Sequence, residues 1–98
     1  MPINPHPPGI HHIAFRCMDM AVTKNFCQKI IGLPLAIDTP DLIIFAAGSV
    51  FVALKQANPR DKNYASFSPF EVGLDHIAAM ACETEEELHR FAKGLADA

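Results

Sequence analysis

Residues 10–17 (IHHIAFRC) read as a strand, in which Ile13, Phe15 and Cys17 put a bulky apolar side chain at every second position. This period of two predicts a strand with His12, Ala14 and Arg16 on one face and Ile13, Phe15 and Cys17 on the other, apolar face. The period then changes. Asp19 stands as an N-cap, and Val22, Phe26 and Ile30 recur every four residues with Cys27 and Ile31 beside them. An amphipathic helix is predicted, closed by Gly32 and kept from continuing by Pro34. Three short extended segments follow, over 35–39, 41–47 and 49–57, ended in turn by Pro40, Gly48 and Asn58-Pro59. Their Ile, Val and Phe content and their breakers suit an antiparallel meander. In the last of them Val50, Val52 and Leu54 face one way, and Phe51, Ala53 and Lys55 the other.

Residues 58–72 are mostly polar, proline-punctuated and without period, which reads as a crossing loop. Tyr64 lies in it and is read as loop packing. Residues 73–82 again read as a strand. Thr84 with Glu87 three residues on is a capping box, and Leu88, Phe91, Ala92 and Leu95 form a second helical stripe. The run Glu85-Glu86-Glu87 falls in the first turn of that helix, where the helix dipole favours negative charge. Residues 1–9, with four prolines and a glycine, form an extended arm. The two strand–helix stretches repeat each other: GIHHIAF opens at Gly9 and GLDHIAA at Gly73, which sets His12 against His76 and His11 against Asp75. Similarity at a fixed offset is the mark of an internal duplication.

Composition narrows the functional classes. Half of the 98 residues are hydrophobic, so a packed core is feasible. The net charge of −3 and the scattered Lys and Arg residues argue against a nucleic-acid binder. No apolar run is long enough to span a membrane. The three cysteines, odd in number and without CxxC spacing, read as free thiols of a reducing compartment. The N-terminus lacks the basic-then-apolar pattern of a secretion signal, so a cytoplasmic location is expected.

The stretches HHIAFRCMDMAVTKNFCQKIIGLPL and GLDHIAAMACETEEELHRFAKGLADA resemble the openings of the two modules of the vicinal oxygen chelate superfamily. That group includes glyoxalase I, extradiol dioxygenases, thiol transferases of fosfomycin resistance and bleomycin-resistance proteins. The resemblance implies an α+β fold: a βαβββ module with a mixed, curved sheet over 10–57, a connecting loop over 58–72, and the strand and helix of a second module over 73–98. The family's second module runs on through three more strands, so the second module reads as truncated. A half-built module leaves sheet edges open, and a homodimer is expected.

The same resemblance implies a divalent metal ion (Zn, Fe, Mn or Ni) held by His12 and His76, both on the cavity face. Neutral imidazole suits these ions, and two histidines with a carboxylate and open positions make a catalytic arrangement. The carboxylate that glyoxalase-like members add from the last strand of the first module aligns at or near Ala53, and residues 49–57 contain no Asp or Glu. Thiol-transferase-like members take that ligand from the second module, past Ala98. Arg16, Phe51, Lys55 and Met80 are the further candidates for lining the cavity, Arg16 and Lys55 as partners of a carboxylate or phosphonate. The expected function is a metal-dependent enzyme acting on a small oxygen-bearing substrate: lyase or isomerase, dioxygenase or thiol transferase. The alternative is a metal-free small-molecule-binding protein of the bleomycin-resistance kind, or a non-catalytic truncated module.

Overall fold

A computed structural model of the protein describes residues 3, 5–57, 70 and 72–98. The chain divides into two units, Met1–Asn58 and Pro59–Ala98. The first is a four-stranded sheet with one helical segment: β1 (His12–Cys17), α1 (Met20–Asn25) running on as a π-helical segment (Phe26–Ile31), β2 (Leu35–Asp38), β3 (Ile43–Ala47) and β4 (Val50–Gln56). The strand order is β1-β4-β3-β2. β1 and β4 are parallel, and β4–β3 and β3–β2 are antiparallel, so the sheet is mixed and the βαβββ expectation holds.

Each joint has a local cause. The Asp19 carboxylate accepts from the amides of Ala21 and Val22 at 3.1 and 3.2 Å, which starts α1. At the far end Gly32 takes a left-handed conformation (φ 85°), and the amides of Gly32 and Leu33 both donate to the Cys27 carbonyl. Gly48 (φ 62°) opens the two-residue turn between β3 and β4, at the hairpin position where glycine is favoured. Gln56 closes the parallel edge. Its carbonyl oxygen accepts from the Met20 amide at 3.0 Å, and its amide nitrogen donates to the Met18 carbonyl at 2.6 Å. One side chain on β4 thereby holds the β1–α1 turn.

The core lies on the helix side of the sheet: Cys17, Met20, Ile43, Phe45 and Leu54, with Cys27, Leu33, Leu35 and Val52 packed against it. The helix differs from its sequence reading in phase. Val22, Phe26 and Ile30 are exposed, Val22 by 65%, whereas Met20 is buried and Cys27 and Ile31 are half-buried. The switch to π geometry at Phe26 widens the turn and breaks the regular 3.6-residue repeat. The surface-covering stripe therefore follows Met20, Cys27 and Ile31. Burial and the neighbouring Cys17 push the Cys27 thiol above its ordinary range.

In the second unit the predicted helix forms as α2 (Glu85–Asp97), and the Thr84 hydroxyl accepts from the Glu87 amide at 3.2 Å. The Glu87 carboxylate reaches back to the Glu83 amide, one residue before the expected partner. The strand expected over 73–82 is not formed. Residues 74–82 have no regular structure and are exposed except for the half-buried Cys82. A strand exists through its ladder, and the described residues of this unit supply no neighbour to pair with. The arm over residues 1–9 carries no helix or strand among its described residues, and most of the loop expected over 58–72, including Tyr64, lies outside the described residues. No helix among the described residues is long and apolar enough to cross a membrane.

Phe45 is completely buried, so Phe45→Ala is expected to cost about 3–5 kcal/mol in urea unfolding, while Val22→Ala stays within about 0.5 kcal/mol. Thr84→Ala should destabilise α2 by about 1 kcal/mol, read as faster amide exchange at Glu87. Because only the thiolate is alkylated, Cys27 should react with iodoacetamide near neutral pH more slowly in the folded chain than in the urea-unfolded chain, by peptide mapping.

Candidate functional site

The sheet face opposite α1 and its π-helical continuation carries a cavity of about 560 Å³. Its floor follows from strand register. Ala14 on β1 pairs with Ala53 on β4, and Ala53 with Ile44 on β3. Two methyl groups on adjacent strands leave a depression, which Ile37, Ile44, Leu42 and Phe51 wall in. Within this floor Ala53 is buried, 5% exposed, while Ala14 is open to solvent. The polar groups at the wall are His11, His12 and Lys55, and the lining contains no acidic side chain.

The strand alternation read from the sequence accounts for most of this arrangement. His12 pairs across the strands with Phe51, and Lys55 follows four positions further along β4 on the same face; all three line the cavity. Arg16 is paired across the strands with Lys55, just past the lining, and donates to the Gln56 carbonyl at 3.1 Å. Met80 belongs to the second unit and is 91% exposed. Strict strand alternation would turn His11 to the face opposite His12, yet both line the same cavity. His11 lies one residue before β1, where strand alternation no longer governs the side chain. Its ring sits against Phe51 with centroids 5.7 Å apart and meets His12 edge-on at 5.1 Å. The two Nδ1 atoms are 2.9 Å apart, so one ring donates and the other accepts.

His76, in the second unit, is exposed, and its Nδ1 lies 2.5 Å from the Asp75 carboxylate. The duplicated sequence thus carries a duplicated contact: in each unit the side chain just before the repeated histidine engages its Nδ1. Such an engagement at Nδ1 leaves Nε2 as the outward nitrogen and, for His76, makes Nδ1 the protonated one. Nothing in the residue pattern announces this contact, since neighbours on a regular strand point to opposite faces. His89 pairs loosely with Glu85 one helical turn away, at 3.5 Å.

The donor set tests the metal expectation. Among the described residues no three His, Cys, Asp or Glu side chains group in a way that could hold an ion. The cavity wall offers imidazoles and an ammonium but no anionic donor, and so does not by itself fit a catalytic metal centre.

No protein-family model matches the sequence, and no curated protein matches it. Among solved structures, the chain is similar to lactoylglutathione lyase from Agrobacterium tumefaciens, with a TM-score of 0.68 and 20% identity, over 94% of this chain and 71% of that one. At that identity the likeness speaks for architecture alone. The mixed four-stranded sheet with its βαβββ order, and the likeness to that structure, give the first unit the architecture of a βαβββ module of the glyoxalase fold.

Proposed function

We propose that the protein binds a small, largely apolar molecule in the cavity floored by Ala14 and Ala53. The observation that carries this reading is the cavity itself: a mostly apolar depression on an otherwise pleated sheet face, with its few polar groups gathered at the wall. Ligand sites have this character, mostly apolar with a small number of placed polar side chains. In this reading Phe51 and His11 present aromatic faces to the ligand, and binding needs no metal.

A second reading is a metal-dependent enzyme of the vicinal oxygen chelate type, a lyase or isomerase, dioxygenase or thiol transferase, with His12 and His76 as metal ligands. It is favoured by the Asp75 contact, which leaves the His76 Nε2 lone pair available, and by the His11 contact, which does the same for His12 when the His12 Nδ1 is the donor. It requires further donors, since Ala53 supplies none. A divalent ion there would act as a Lewis acid on substrate oxygens.

One preparation separates the two. The full chain, purified without chelator, is titrated with the neutral apolar dye Nile red with and without EDTA. Binding of one dye per chain, unchanged by EDTA and lost in Ala14→Phe, is the expected result, and Phe51→Ala should weaken it about tenfold. Dye binding that Ala14→Phe leaves intact would sink the cavity reading. A stoichiometric divalent metal in the wild type, lost in both His12→Ala and His76→Ala, would favour the enzyme.

A further inference from the structure

The cavity has a polarity along its length. Phe51 and Lys55 are both on its wall and are separated by four residues of β4, which is about 13 Å of extended chain. At the Phe51 end stand the rings of His11 and Phe51. At the other end Lys55 has Arg16 as its cross-strand partner, on the same sheet face. Two cations held side by side repel each other, and proteins ordinarily offset such a pair with an acid. Here none does so among the described residues. Their ion pairs join Lys24 to Asp38, His76 to Asp75 and His89 to Glu85, and neither Arg16 nor Lys55 takes part. Arg16 has one hydrogen bond, to the Gln56 carbonyl, so the rest of its guanidinium edge remains for another acceptor. The chain as a whole carries a net charge of −3, with Glu83, Glu85, Glu86 and Glu87 in the second unit. The local excess of positive charge at this end of the cavity therefore runs against the balance of the molecule.

On the reading of this cavity as a binding site, we infer that its ligand is an elongated apolar carboxylate. The acid head lies at the Lys55–Arg16 end, the aliphatic or aromatic body runs over the Ala14–Ala53 floor, and the far end rests against His11 and Phe51. The spacing sets the length: a body that carries a carboxylate about 13 Å from an aromatic end spans the wall. Lys55 supplies a point charge and Arg16 a planar fork that matches a carboxylate. The absence of any acid in the lining means that no group at the wall opposes an anionic ligand, whereas an amine head at this end would meet the two cations Lys55 and Arg16.

The test displaces Nile red from the full chain with three molecules of one shape: phenylhexanoate, phenylhexanol and phenylhexylamine. The carboxylate should displace the dye about tenfold more effectively than the alcohol, with the amine weakest, and the advantage should shrink as salt rises from about 0.02 to about 0.5 M. Lys55→Met should bring the carboxylate close to the alcohol, and Lys55→Glu should turn the order toward the amine. Arg16→Met, a change on the adjacent strand, should reduce the same advantage independently, and circular dichroism checks that each variant keeps its fold. Equal displacement by carboxylate and alcohol in the wild type would overturn the inference while leaving the cavity as a binding site. Failure of all three to displace a dye that Ala14→Phe removes would also overturn it, again without touching that reading. A dye insensitive to Ala14→Phe would remove both.

Discussion

Six consecutive residue pairs, from His12–Phe51 to Cys17–Gln56, hold β1 parallel to β4. They join the beginning of the first unit to its end, and both faces of the sheet inherit their register. On one face the pairing sets Leu54 beside Phe15, within the core side that includes Cys17, Met20 and Phe45. On the other it sets Ala14 beside Ala53 and Arg16 beside Lys55. A parallel pair cannot be closed by a tight turn, and its crossover must return the chain across the sheet. The helical segment and the β2–β3 hairpin make that return. Gln56 then fastens the far end by accepting from the Met20 amide and donating to the Met18 carbonyl. A slip of one residue would exchange the faces, placing the histidine and the cations against the helix.

This dependence explains which features were legible in the residues. Alternation from residue 10 to 17 and from 49 to 57 gave the correct face for His12, Ala14, Phe51, Ala53 and Lys55, because a strand buried on one side must keep its period. The Asp19 and Thr84 caps and the Gly32 stop were also readable, since each is a local hydrogen-bonding requirement written in one or two side chains. Residue pattern resembling the vicinal oxygen chelate proteins pointed to the βαβββ order, which the sheet bears out.

What escaped the sequence depends on non-local geometry. The π turn at Phe26 shifts the helix face, and no propensity marks where such a turn falls. Gln56 reads as an ordinary polar residue at the end of a strand, and its role arises from partners 36 and 38 positions away. His11 enters the cavity because β1 begins one residue after it. Residues 74–82 carry strand-like alternation, yet alternation describes only which residues could share a face. It does not supply the neighbouring backbone that makes a strand.

The Ala14–Ala53 floor separates two properties that small domains usually keep coupled. The sheet's opposite face, with Phe45 and Leu54, carries the tight packing that stability needs. The floor is two methyl groups wide and faces outward from that core. Substitution at residue 14, which is exposed, alters the depth of the cavity without opening a void beneath it. On the proposal that this cavity binds a ligand, ligand size is retuned by substitution at a single exposed position, with little change in the free energy of folding. A cavity built on the solvent side of a sheet gives one architecture room to accept molecules of different bulk.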